Sequence, residues 1–241
     1  MRDGTRRGLI KTGIAGAIGA TGVAAVGASG LVPPDARGLY GCGHTLTYAA
    51  HRLLTRGANA REFRREQISK IPHPKGKPPK AEEYARLRAD GFKDWRLQVD
   101  GLVERPASLS IADIKSYPAR SHITQLICEE GWSYIAEWTG APLSHIFTLA
   151  GAASKARFAV VYSMDGWLDA FDMEDSLHAQ TLITYGFNGT DLPVGHGGPL
   201  RLRIPRQMGY KSLKFIHRIS LVESLEAVPL RFQKYAWYAG I

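Results

Sequence analysis

The sequence predicts an α+β domain, rich in short β-strands and carrying few short helices. Two observations lead there. Apolar residues alternate with polar ones in a series of short runs, and turn dipeptides such as Asp100-Gly101, Asp165-Gly166 and Asn188-Gly189 separate those runs. A third is negative: there is no internal repeat, no phosphate-binding Gly-x-x-x-x-Gly-Lys loop and no dinucleotide fingerprint, which argues against a nicotinamide-binding parallel sheet.

In chain order, Arg2, Arg6, Arg7 and Lys11 precede an uncharged stretch rich in Ala, Gly and Ile from Thr12 to Val32. The stretch is about long enough to cross a bilayer, so an export signal and a membrane anchor both fit its length. Its many Gly, Ala, Ser and Thr residues insert weakly and favour the signal. The run Arg6-Arg7-Gly8-Leu9-Ile10-Lys11 resembles the twin-arginine type, a receptor-read address for chains exported already folded. We therefore expect a signal segment over 1–32, an N-terminal extension and basic arm over 33–80, and one catalytic domain over 81–241. Leu39-Tyr40-Gly41-Cys42 loosely resembles the box before a lipid-modified cysteine, although Tyr is bulky for that slot. An inert Cys42 is the other reading.

The arm is clearest over 61–80, where Arg61, Arg64, Arg65, Lys70, Lys75, Lys77 and Lys80 are broken by Pro72, Pro74, Pro78 and Pro79. It reads either as an extended segment wrapped over the domain or as a solvated charge run. Ala81 to Asp90 predicts a short helix ending at Gly91. Trp95, Leu97 and Val99 then alternate into a first core strand, and Ser110 to Asp113 fits a helix capping box closed by Tyr117-Pro118. That leaves one short helix before the strand Ser121 to Cys128. Ala159 to Met164 predicts a buried strand, Trp167 to Phe171 its continuation after a tight turn, and Asp172 a helix cap. Thr181 to Phe187 forms a hairpin across Asn188-Gly189, Leu200 to Ile204 alternates with Arg201 and Arg203, and Phe215 to Val222 is the last strand.

The formal net charge is +9, and residues 1–32 supply four positives and one negative of it, leaving +6 on the rest. That balance suits a nucleic-acid binder, but an exported protein rarely meets nucleic acid, so none is expected as a partner. A buried anionic cofactor or an acidic membrane surface answers the charge instead. The chain has two cysteines, Cys42 and Cys128, too few for a structural zinc or iron-sulfur site built on Cys alone. In an oxidising compartment they could also pair. His122, His145, His178 and His217 show no metal-ligand spacing, and the carboxylates from Asp165 to Asp175 suggest either general acid-base work or, more simply, solvated turns.

Gln125-Leu126-Ile127-Cys128-Glu129-Glu130-Gly131-Trp132-Ser133, followed by Trp138-Thr139-Gly140-Ala141-Pro142-Leu143, resembles the sulfite oxidase superfamily in residues and in spacing. A second segment, Leu192-Pro193-Val194-Gly195-His196-Gly197-Gly198-Pro199-Leu200-Arg201-Leu202, continued by Gly209-Tyr210-Lys211-Ser212-Leu213-Lys214, is similar to that family's pterin-binding half. The resemblance implies a sulfite-oxidase-type molybdopterin-binding domain that carries a Mo-molybdopterin. It implies Cys128 as the thiolate ligand of molybdenum and catalytic residue, with His196, Arg201, Ser212, Leu213 and Lys214 holding the cofactor. Soft sulfur suits such a metal, and a pterin phosphate wants guanidinium or ammonium groups with backbone N–H donors. Asn59-Ala60-Arg61-Glu62-Phe63 resembles the N-terminal cofactor segment of the bacterial methionine sulfoxide reductase branch, with Arg61 in place of an aromatic residue and the Asn offset by one. Asn59, Arg61 and Glu62 are cofactor candidates on that likeness, and so is Ser163, near the position of a family hydroxyl.

Sulfite oxidases carry an Asn-Arg pair soon after the metal-binding Cys. Glu129, Glu130, Trp132 and Ser133 stand here instead, as in the methionine sulfoxide reductase branch, and carboxylates would repel a sulfite dianion. The resemblance thus implies a periplasmic oxidoreductase that reduces a small oxo substrate of the sulfoxide type. Its electrons would come from a membrane or periplasmic electron-transfer partner. The rival expectations are a sulfite dehydrogenase and a non-catalytic periplasmic binding protein with paired cysteines.

Overall fold

The computed structural model describes residues 38–55, 57–74 and 76–228, and side chains from 46 onward. The expected signal segment lies outside the described residues, as does the side chain of Cys42. The chain divides into two compact units, 1–56 and 57–241. In the first, helix α1 (Gly38–Thr55) sets Arg52 over the ring of Tyr48 one turn earlier, 5.1 Å from its centroid. Among the described residues no helix is long and apolar enough to cross a membrane.

The second unit is built on two five-stranded sheets. Helix α2 (Glu82–Ala89) has Glu82 and Glu83 in its first turn and Arg86 and Arg88 in its last, matching the helix dipole, and it buries Tyr84 and Leu87. Strand β1 (Arg96–Gly101) buries Leu97 and Val99 on one face, as its alternation predicts. Strand β2 (Ala107–Ser110) pairs antiparallel with it. Its four partly exposed residues carry no periodic signal, so no expected element covers it. Ser110 caps helix α3 (Ile111–Ser116): its Oγ accepts from Asp113 N at 3.1 Å, and Asp113 Oδ2 accepts from Ser110 N at 2.8 Å.

Strand β3 (Arg120–Ile127) pairs antiparallel with β4 (Ser133–Pro142), and helix α4 (Leu143–Ala150) follows at once. Strand β4 was hidden from periodicity because most of its ten residues are buried, on both faces. Strands β5 (Phe158–Ser163) and β6 (Leu168–Asp172) form a hairpin, and Asp172 Oδ1 caps helix α5 (Met173–Ser176) through Asp175 N at 2.9 Å. Strand β7 (Leu182–Phe187) turns through Asn188-Gly189 into β8 (Thr190–Asp191) and also pairs with β9 (Arg201–Arg203). Strand β10 (Ile216–Val222) lies between β1 and β5, parallel to the first. The sheet orders are β2-β1-β10-β5-β6 and β3-β4-β7-β8 with β9 on β7. One apolar cluster joins them, with Leu97, Val161 and Ile219 from the first sheet and Ala141, Ile183 and Leu202 from the second.

The arm is wrapped, not solvated throughout. Phe63 N donates to Ile123 O at 2.9 Å, Ser69 N donates to Ile135 O at 3.0 Å, and Arg65 forks onto the carboxylate of Glu137 at 3.0 and 2.5 Å.

Candidate functional site

Strand β3 ends at Ile127, and the connection to β4 is a tight loop, closed by Cys128 N donating to Trp132 O at 2.9 Å and Gly131 N to Cys128 O at 3.1 Å. The loop holds Cys128 at the strand end with its thiol largely buried and free of any disulfide. Sγ donates to Glu129 Oε2 at 3.2 Å, and Glu130 Oε2 is anchored by Trp132 Nε1 at 3.0 Å. Burial pushes the thiol pKa up, and the two carboxylates push the same way.

Facing this loop is β9. Alternation in the sequence is compatible with Arg201 and Arg203 on a surface, yet they are 4% and 1% exposed. Arg203 Nη2 donates to Thr124 Oγ1 at 3.1 Å and Gln125 O at 2.7 Å, and its Nη1 donates to Ser212 Oγ at 3.2 Å, joining β3 to the following loop. Arg201 Nη1 donates to His196 O at 2.9 Å. Both guanidiniums lie 5.2 Å from the ring centroid of Trp138. In both, Nε is buried without a hydrogen-bond partner among the described residues. Burial and then its neighbour Arg201 lower the pKa of Arg203 to about 9, and burial lowers that of Arg201. Two adjacent buried cations with unsatisfied donors call for an anion.

The loop after β9 supplies the third wall. Gly209 is packed so tightly against Leu126 and the Ile127 carbonyl that a side chain there would clash, which brings this loop against the strand that presents Cys128. Lys214 Nζ donates to Gly195 O at 2.6 Å, and Ser163 Oγ holds the Lys214 carbonyl at 2.5 Å. Burial, then Arg201, lowers the Lys214 pKa to about 8.

These walls enclose a cavity of about 310 Å³. Cys128, Arg201, Ser212, Leu213 and Lys214 all line it, as do Glu129 and Glu130. His196 stands behind Tyr134, a lining residue, with Nδ1 3.3 Å from the phenol oxygen and its ring stacked 4.2 Å from Phe187. Burial, then Arg201 and Lys214, pulls its pKa down to about 4. Ser163 lies behind the loop it braces. Asn59, Arg61 and Glu62 are not on the cavity wall. Asn59 is exposed, Arg61 covers the ring of Phe63 at 4.9 Å, and Glu62 accepts from Gln180 Nε2 and pairs with His122 Nδ1, both at 2.8 Å.

Reasoning from sequence missed Arg203, Tyr134, Trp167 and the Asp169–Lys211 ion pair. Arg203 was within reach, since a residue two beyond Arg201 on a strand shares its face. The ion pair was not, because Asp169 and Lys211 are far apart in the chain. Among the described residues no group of three His, Cys, Asp or Glu side chains is arranged to hold a metal ion.

Residues 84–227 match the family described as oxidoreductase molybdopterin binding domain. A putative protein-methionine-sulfoxide reductase subunit YedZ1 of Azospira oryzae is 33% identical over 146 residues, covering 61% of this chain and 56% of that one. The protein-methionine-sulfoxide reductase catalytic subunit MsrP of Xanthomonas campestris pv. campestris is 32% identical over 183 residues, covering 68% and 55%. The chain thus spans little more than half the length of these relatives. The crystal structure of the sulfane dehydrogenase SoxCD from Paracoccus pantotrophus shares the fold, with a TM-score of 0.53 at 23% identity over 55% of this chain and 39% of that one.

Proposed function

The chain belongs to the oxidoreductase molybdopterin-binding domain family, and from that premise we propose that it is a periplasmic molybdenum-cofactor enzyme that reduces a neutral S-oxide or N-oxide. One observation carries the reading: a buried thiol, Cys128, faces the same cavity as Lys214 and Arg201, whose buried Nε has no hydrogen-bond partner among the described residues.

These residues fit a molybdopterin. A metal delivered on a pterin dithiolene needs little from the protein beyond one soft ligand, which is what this cavity offers. The phosphate of such a cofactor would complete Arg201 and would meet the Lys214 ammonium on the same cavity wall, with Ser212 and Leu213 on the loop between them. When bound, the group supplies two-electron redox chemistry and oxygen-atom transfer. Cys128 would hold the metal as its thiolate and would give up its proton to do so, since burial otherwise favours the thiol. Ser163 and Arg203 hold the loop through the Lys214 carbonyl and the Ser212 hydroxyl. His196, neutral at physiological pH, shares a hydrogen bond with the Tyr134 hydroxyl through Nδ1 and keeps that side chain in place.

Direction follows from charge. Glu129, Glu130 and Asp165 line the cavity, and their field disfavours a dianion such as sulfite while leaving a neutral S-oxide unaffected. Reduction of one S-oxide consumes two electrons and two protons and releases the sulfide and water. The electrons come from a membrane or periplasmic redox partner. The MsrP and YedZ1 relatives, named as methionine sulfoxide reductase subunits, support the same direction.

Molybdenum analysis of protein purified from its own periplasm tests the cofactor: stoichiometric metal that disappears in Cys128→Ser is expected, and metal-free wild type refutes it. A panel of S-oxides and N-oxides with reduced viologen, set against sulfite with ferricyanide, tests the direction. Faster sulfite oxidation would make the protein a sulfite dehydrogenase.

A further inference from the structure

We propose that the basic arm docks this domain on an anionic lipid surface, with Lys70, Lys77 and Lys80 as contact cations and Ile71 entering the bilayer interface. The proposal does not rest on the catalytic reading.

Residues 67–81 contain four lysines and no carboxylate. Lys70, Lys77 and Lys80 are exposed, and no ion pair among the described residues engages them. Ile71 is 87% exposed, the highest value among the large apolar side chains described. A lone exposed isoleucine is ordinary. Here it sits between cations on a backbone fastened on its inner side by Ser69 N to Ile135 O at 3.0 Å and by buried Pro79. Pro72, Pro74, Pro78 and Pro79 stiffen the segment and keep it from folding back over Ile71.

The chemistry selects lipid over an acidic protein. All four cations of 67–81 are lysines, mobile point charges suited to a diffuse anionic surface, whereas recognition of fixed carboxylates favours the arginine fork. A lysine cluster around an apolar residue is the pattern of an interfacial anchor. Docking also has a geometric consequence. His73, inside this segment, meets Trp132 edge-on at 5.7 Å, and Trp132 lines the cavity, so docking sets the cavity wall beside the lipid surface.

The test is sedimentation of the full-length holoprotein with vesicles of phosphatidylcholine alone or mixed with phosphatidylglycerol, at low and high salt. Binding at least about tenfold tighter to the anionic vesicles, abolished by salt, is expected. Attachment through the Thr12 to Val32 stretch, which Arg2, Arg6, Arg7 and Lys11 precede, would keep its own anionic preference whatever the arm carries, so loss of the preference on substituting the arm is the readout. Lys70→Glu/Lys77→Glu/Lys80→Glu should remove the preference without changing the melting temperature. Ile71→Ser should weaken binding about threefold and leave the salt dependence intact. Equal wild-type binding to both vesicles overturns the proposal, as does a folded triple variant that keeps the preference. Should the triple Glu variant not fold, Lys70→Gln/Lys77→Gln/Lys80→Gln, which removes the charges without reversing them, decides by the same readout.

Discussion

Lys211 Nζ lies 2.9 Å from Asp169 Oδ1, with the lysine side chain fully buried and the aspartate nearly so. The pair ties β6 to the short 3-10 turn Gly209–Lys211, and Asp169 itself lines the cavity. Burial pulls the ammonium pKa down, and Asp169, then Asp175 and Asp172, pull it back up. Removing one partner of a buried pair costs about 3–5 kcal/mol and replacing both is far milder; the lower end applies here, because Asp175 and Asp172 still act on Lys211 when Asp169 is gone. Asp169→Ala is therefore expected to lower the melting temperature by roughly 10 °C, and Lys211→Met in that background to restore most of the loss. Calorimetry of the two variants checks it, and identical melting would deny the pair this role.

His196 makes the stability of the cofactor-free protein depend on pH. Its folded-state pKa, about 4, is below the ordinary 6.5, so between these values the unfolded chain binds a proton that the folded one does not. Stability contributed by the neutral imidazole is complete above pH 6.5 and is lost as pH falls toward 4. The full effect is of the order of 3 kcal/mol. Urea midpoints across this range should fall less steeply for His196→Gln than for wild type. Parallel curves would assign the acid sensitivity to other groups.

Arg201 is expected to serve loading at the expense of the unloaded fold. Its Nε is buried and unpartnered, and Arg203 beside it carries like charge. Arg201→Met replaces a buried cation with an apolar chain of similar length, which is neutral or stabilising for an unliganded core. The cofactor-free variant should melt at or above the wild type, while molybdenum per protein falls at least about tenfold for want of a charge-assisted contact. A variant that loses stability and loading together would make Arg201 a structural residue.

The hairpin, the capping box and the last strand were legible because each is written in local residues: Asn188-Gly189, Ser110 with Asp113, and the apolar run from Phe215 to Val222. Strand β4 was not, since both its faces meet protein and alternation disappears. At the cavity, the thiol and the Arg201 to Lys214 segment were readable as motifs. The burial of Arg203 and the pairing of Asp169 with Lys211 depend on strands distant in sequence. Asn59, Arg61 and Glu62 rest on a weaker likeness with an offset register, and the contacts of Glu62 with His122 and Gln180 depend on residues distant in sequence.

Gly140 shows why the Trp138 to Leu143 motif tolerates no side chain at its centre. It sits where the pairing of β4 with β7 shifts register, and a Cβ there would overlap the Ile183 carbonyl oxygen and press on Thr184 Cα. Those are backbone atoms of the neighbouring strand, so no rotamer change relieves the clash and β4 must move away from β7. Trp138, two residues earlier, is fully buried and carries both guanidiniums of β9 on its ring. Gly140→Ala is therefore expected to cost at least about 1–3 kcal/mol and to disturb the placement of Arg201 and Arg203 from a position that touches neither. A lowered urea midpoint with reduced molybdenum content would bear this out. An unchanged midpoint would mean that the two strands can separate without strain, and that the glycine answers to something other than their approach.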